Sequence, residues 1–255
     1  MGEWGDHALR GIRIEAKGFQ VYRRMSRQTV VFGSVGVFML VTVTGALAST
    51  RALWHMDDTN GVTMSDSSGN GNDGQVTNVA VGQPPVHSGT SFGFNGGDEF
   101  NSYVTVPDNA NSLDPFDADI TITAWVSLTG PLFDDSYDIV RKGLGTTSGG
   151  DWKMEIKNIK NLGAVGKLKC TFRGDPGRWV TKTARPDIID GQPHQLRCIK
   201  TATSVIAQVD GGKQFTNSTA AGTIANDALV MVGAKVPGDD EYNGLLDEVS
   251  VEIGP

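Results

Sequence analysis

The chain has 255 residues, 38% of them hydrophobic and 20% charged, a globular composition with room for one large domain or two small ones. Its formal charge is −7, from 22 basic and 29 acidic residues, and it offers no basic face of the kind a nucleic acid requires. Glycine is abundant at 33 residues and aromatics are modest at 7%, which suits a turn-rich all-β protein better than a helical one.

The N-terminal part reads as a targeting segment. Residues 29–48, TVVFGSVGVFMLVTVTGALA, carry no charge, and Arg23, Arg24 and Arg27 stand just before them. With Ala46-Leu47-Ala48 as a small-x-small end, this is the basic, apolar, small-residue layout of a secretory signal. An apolar run of this length also suffices to span a bilayer as an uncleaved anchor. Met25 is a natural start that gives the signal ordinary proportions. The expectation is an N-terminal extension and signal over 1–48 and a domain over 49–255 that is secreted, or held outside the membrane by 29–48. That domain carries 16 basic and 26 acidic residues, a formal charge of −10. It also holds Cys170 and Cys198, which in an oxidising compartment most simply pair. The closed loop of about 29 residues corresponds to ~3–4 kcal/mol of chain entropy. Neither cysteine lies in a metal-binding or catalytic spacing, so the bond is expected to be structural, stapling neighbouring strands.

After Ala48 the chain alternates short strand-like runs with turn clusters. SYVTVP (102–107) and ITITAWVSL (120–128) alternate at period 2. YDIVRKG, WKMEIKN and KLKCTFRG follow, punctuated by Gly, Asn or Asp. HQLRCIKTATSVIAQVDGG reads as two strands with a turn near Thr203, and ALVMVGA and GLLDEVSVEI close the chain. No helical periodicity exceeds two turns, no repeat is visible, and no Pro- or Ser-rich linker divides 49–255. Ten or more short strands at this spacing predict a single two-sheet sandwich.

LWHMDD (53–58), DSSGNGNDG (66–74) and the stretch from Phe92 to Val126, with its YVTVP and ITITAWV, resemble the opening of laminin-G-like, concanavalin A-type jelly-roll domains of bacterial secreted proteins. DGQPHQLRCIK, QVDGGK and YNGLLDEVSVEI resemble the later segments of the same family, so the likeness covers about 51–253. Pro193 stands where the family usually has Trp, and Met56 where it has Phe. The resemblance implies a sandwich of two curved antiparallel sheets, with Trp125 and Val126 in the core. Phe92 and Phe94, two apart, should share a face.

DSSGNGNDG admits two readings. An EF-hand is excluded, because the twelfth position is Thr77 and no helices flank the loop. Calcium nevertheless takes carboxylate, amide and carbonyl oxygens, and related jelly rolls carry a rim calcium where the Asp of the last strand meets an early loop. That resemblance implies a structural Ca²⁺ on Asp247 with Asp66, Asn72 and the Gly69 carbonyl. The other reading is a hydrogen-bonded turn, with Asp and Asn capping their own backbone and Gly taking positive φ.

A glycoside hydrolase of this fold needs two carboxylates on one sugar bond, and no Glu-x-Asp-x-x-Glu triplet occurs. Asp247 and Glu248, adjacent on a strand, should face opposite sides. His194 has no Ser or Cys nucleophile motif with it, and HExxH, GxSxG and P-loop patterns are absent. Non-catalytic binding is therefore expected, with a glycan or polysaccharide as ligand; the alternatives are a protein-adhesion module and, behind it, a hydrolase. The candidate aromatic platforms are Trp179, Tyr242, Tyr137 and Trp152, the last with a competing reading as core.

Overall fold

The computed structural model describes residues 47–96, 101–129, 135–159 and 165–254. The signal or anchor read over 29–48 lies outside them except for Leu47 and Ala48. Every strand belongs to the unit Gly45–Pro255. In chain order the strands are β1 (Ser49–Trp54), β2 (Thr63–Met64), β3 (Gly74–Thr77), β4 (Ala80–Gln83), β5 (Ser91–Phe94), β6 (Tyr103–Val106), β7 (Asp119–Ser127) and β8 (Ser136–Lys142). They continue with β9 (Asp151–Asn158), β10 (Gly166–Gly174), β11 (Arg178–Thr183), β12 (His194–Lys200), β13 (Val205–Val209), β14 (Phe215–Asn217), β15 (Val230–Val232) and β16 (Gly244–Gly254).

Two antiparallel sheets result. One runs β14-β13-β12-β7-β16-β5-β4 with β1 also on β16, and the other runs β11-β10-β9-β8-β15-β6-β3-β2. The expected all-β jelly-roll sandwich is the fold. Its period-2 logic is plainest in β7, where Ile120, Ile122, Ala124 and Val126 are buried and the residues between them half-buried. In β9, Trp152, Met154 and Ile156 point inward against the same core. Phe92 and Phe94 are both buried, as their spacing implies. Trp125 is not core: the alternation that turns Val126 inward puts Trp125 on the outer face, opposite Asp247 and Gln195 and 4.3 Å from the His87 ring.

The disulfide does not staple neighbours. Cys170 of β10 and Cys198 of β12 belong to opposite sheets, and both point into the core. Their Cα atoms are 5.4 Å apart, far closer than the ~10 Å of ordinary face-to-face packing, so the bond marks where the sandwich pinches together.

β16 changes partner along its length, pairing with β5 through Gly244–Leu246 and with β1 through Val249–Ile253. At the handover its register against β7 shifts, and Glu248 takes φ 47. Strand alternation fails there, which matters for the acids that sit on it.

Candidate functional site

The loop 66–74 folds as a clamp on β1. Arg51 is left out of the β1–β16 ladder by a register shift between Thr50 and Ala52, as in a β-bulge. Its freed carbonyl accepts hydrogen bonds from Ser68 Oγ at 2.9 Å, Asn70 Nδ2 at 3.1 Å and Asn72 Nδ2 at 2.7 Å. Asp66 Oδ1 accepts the Leu53 and Ser68 amides, and Oδ2 accepts the Asn72 amide and the Ser68 hydroxyl. Burial alone would raise the Asp66 carboxyl, but these bonds outweigh it and hold it below the usual carboxylate range. Asn72 is spent as well, its Oδ1 on the Ser112 hydroxyl and its carbonyl on the Trp54 indole N–H. Gly69 and Gly71 take φ of 82 and 73, as the tight turn demands.

Asp247 is held elsewhere. Its Oδ2 accepts three consecutive amides, Val86, His87 and Ser88, at 2.7–3.2 Å. Asp66 and Asp247 are thus held by separate sets of partners, and among the described residues none hydrogen-bonds both carboxylates. Among the described residues no three His, Cys, Asp or Glu side chains converge as a metal-binding group. Asp247 differs from Asp66 in one respect. Its Oδ1 is buried without a hydrogen-bond partner, and burial, only partly offset by the three amides, raises its carboxyl. The bulge also corrects the expectation that Asp247 and Glu248 diverge, because both reach Ser88, Glu248 through the hydroxyl at 2.8 Å. His55 Nδ1 lies 2.9 Å from Glu248 as well.

Of the four aromatic candidates three are core. Trp152 is fully buried with its indole N–H on the Leu113 carbonyl, Tyr242 is fully buried with its hydroxyl on the Leu245 carbonyl, and Tyr137 is 1% exposed. Each occupies an inward or enclosed position that local spacing does not separate from an outward one, and none can stack on a ligand. Trp179 is different, 50% exposed on the edge strand β11. Its indole lies against Gly145, where a Cβ would fall 2.6 Å from the ring. The Arg173 guanidinium braces it at 5.4 Å from the ring centre. Arg173 is itself fixed by Asp151 Oδ1 at 2.6 Å and by the Leu144 and Thr147 carbonyls.

Trp179, Arg173 and Asp151 are direct cross-strand neighbours on the outer face of β11, β10 and β9. The adjoining rows carry Thr181, Thr171, Lys153 and Arg141, then Thr183, Lys169, Glu155 and Asp138. Asp138 pairs with Arg141 at 2.6 Å, and Glu155 with Lys153 and Lys169 at 2.7 Å each. Four buried polar atoms of this face lack a hydrogen-bond partner: Thr171 Oγ1, Asp151 Oδ2, Asp138 Oδ1 and Glu155 Oε1, the last two lying beside lysine ammonium groups. Sequence reading missed the face because its acids and bases alternate with core residues within each strand and meet only across strands. The i, i+2, i+4 run Asp151, Lys153, Glu155 was the available signal.

Residues 95–252, more than half the chain, match a laminin-G family model described as the concanavalin A-like lectin/glucanases superfamily. No curated protein matches the sequence. Among solved structures, domain 4 of AbnA, a GH43 extracellular arabinanase from Geobacillus stearothermophilus in complex with arabinotriose, is similar at TM-score 0.59 and 18% identity, over 82% of this chain and 94% of that one. The binding domain of Paraclostridial mosquitocidal protein 1 is similar at TM-score 0.62 and 16% identity, over 81% of this chain and 49% of that one. For the binding domain of botulinum neurotoxin DC in complex with rat synaptotagmin II the values are 0.56, 13%, 80% and 48%. The chain spans about half the length of these two toxin domains, and at such identities the likeness is one of fold. On the family match, and on the sandwich that carries it, this chain belongs to the concanavalin A-like lectin/glucanase superfamily.

Proposed function

We propose that residues 49–255 form a non-catalytic binding module outside the cell, with carbohydrate as its ligand class and the Trp179 face as its site. The observation that carries this reading is Trp179 itself. An indole half in water, backed by Gly145 and braced by Arg173, gives a flat apolar surface for the C–H face of a sugar. Thr181, Arg173 and Lys153, half-buried on the same outer face, can hydrogen-bond hydroxyls beside it. A non-catalytic role is supported by the state of the neighbouring acids, since Asp138, Glu155 and Asp151 are each paired with a cation. Sugar hydrolysis needs one carboxyl free to give a proton and another to attack or activate water. A sugar ligand is also supported by the similar domain 4 of an extracellular arabinanase, which is in complex with arabinotriose. A protein ligand is the second reading, favoured by the neighbour in complex with synaptotagmin.

Calcium enters this reading at Asp247 alone, through its unpartnered Oδ1. A polysaccharide-binding screen in calcium and in EDTA tests the whole. Trp179→Ala should weaken binding at least about tenfold, or ~1.4 kcal/mol. Gly145→Val should do nearly as much by displacing the ring. Binding unchanged in both variants refutes the site. If Asp247 holds calcium, Asp247→Asn lowers the melting temperature in calcium but not in EDTA.

A further inference from the structure

A second concavity shares no lining residue with the Trp179 face. It is a cleft of about 710 Å³ between the start of the domain and the loop from Asn109 to Ala118, lined among others by Arg51, Asn70, Asn109, Asn111, Phe116 and Asp117. Its size falls in the range of small-ligand pockets.

Its walls are fixed. On one side the clamp on the Arg51 bulge sets Arg51 and Asn70. Asn109 Nδ2 ties the two walls by donating to the Asn70 carbonyl at 2.7 Å. The far wall is anchored by the buried Lys142, whose ammonium sits 2.7 Å from Asp114 and 3.2 Å from Asp108, and by Lys200, which donates to the Ala118 carbonyl. A pre-formed wall spares a ligand the cost of ordering it.

Phe116 is the residue that folding does not explain. It has φ 50, in the left-handed region that a bulky L-residue occupies only under strain. Its N–H and carbonyl are pinned to Ile224 at 2.9 and 3.1 Å, which imposes the conformation. Glycine would take that φ freely. The ring contributes little to the core, being 49% exposed at the cleft. Ala110 and Asn111 are also left-handed, at φ 49 and 60. Backbone strain of this kind gathers at binding sites.

The polar groups point the same way. The Asn111 side chain is exposed and makes no hydrogen bond among the described residues, and Arg51 Nε is buried without a partner. Amides offer donors and acceptors together, as hydroxyls do.

We propose that this cleft is a second carbohydrate site, in which Phe116 stacks on one sugar ring while Asn109, Asn111 and Arg51 hydrogen-bond its hydroxyls. It shares the ligand class of the reading above and does not depend on Trp179. Saturation-transfer NMR on the full chain, with arabinotriose, maltotriose and sialyllactose as probes, tests it. Phe116→Gly should cut the signal of a bound sugar at least fivefold while leaving the melting temperature equal or higher. Asn111→Ala should cut it at least threefold without a change in melting. In Trp179→Ala the sugar held in the cleft should still give signal. Full signal in both cleft variants, with loss in Trp179→Ala, overturns the second site and leaves the first standing. A lower melting temperature in Phe116→Gly overturns the argument that Phe116 serves a ligand. Silence from all three sugars with the unaltered chain overturns the sugar class at both sites.

Discussion

Replacing Asp66 with Asn separates the two readings of the 66–74 loop. The carboxylate accepts backbone amides on both oxygens, Leu53 and Ser68 on Oδ1 and Asn72 on Oδ2. Whichever way the new amide turns, its NH₂ faces at least one backbone N–H, and the charge that strengthens every bond is gone. A hydrogen bond to a charged group contributes ~1.5–3 kcal/mol, and a half-buried position argues for the lower end. With about two bonds compromised, the loss is ~2–3 kcal/mol, a large share of the 5–15 kcal/mol a domain holds in total. At roughly 2–4 °C per kcal/mol for a domain of this size, melting should fall by about 4–12 °C. Guanidinium unfolding of wild type and Asp66→Asn, each in calcium and in EDTA, is the assay. Equal loss in both conditions is expected of a clamp. Loss confined to calcium would make the loop a metal site, and no loss in either would refute the hydrogen-bond argument. Because the folded carboxyl lies below its ordinary 3.8, this stabilisation is complete above that value and disappears as pH falls through the folded pKa.

Four further outcomes are expected. Cys170→Ala/Cys198→Ala should lose ~3–4 kcal/mol, since the bond closes a loop with a separation of 28 residues; urea unfolding measures it. Lys142→Met strands the buried Asp114 and should cost ~3–5 kcal/mol, whereas Lys142→Met/Asp114→Leu should recover much of that; denaturation of both variants checks it. Burial, then the Asp138 and Asp239 carboxylates, push Asp240 up to about 6, so its ionisation opposes folding. Asp240→Asn should therefore gain over wild type as pH rises from 3.8 to about 6 and level off above, in a series of urea midpoints. His194 sits 2.8 Å from Asp210 and 3.1 Å from Asp190, whose bonds and charges outweigh its burial and raise it above 6.5. Its contribution, below ~1 kcal/mol for so open a pair, is full below pH 6.5 and lost as pH rises through the folded pKa; melting of His194→Gln across that range reads it.

The long strands were legible because period-2 alternation is a local property. β6, β7, β9, β10, β12, β13 and β16 lie where the alternating runs place them. The short edge pieces β2, β4 and β14 have two to four residues each, too few for a pattern to form. The clamp reading of DSSGNGNDG was available locally, since Asp, Asn and Gly at that spacing close a turn on themselves. That its target is the Arg51 bulge was not, because a bulge exists only relative to the strand beside it.

The chain by itself determined an all-β sandwich, one cysteine pair and a turn at 66–74, since each follows from residues close in sequence or from simple pairing. Tertiary structure alone decided which sheets the disulfide joins, that Trp152, Tyr137 and Tyr242 are enclosed while Trp179 stands in water, and that Asp247 and Glu248 meet at Ser88. It also drew Arg51, Asn70 and Phe116 around one cleft. The physical reason is the same in each case: alternation states that a residue faces one side or the other, and only the packing of the second sheet and the crossing loops makes one side interior and the other surface.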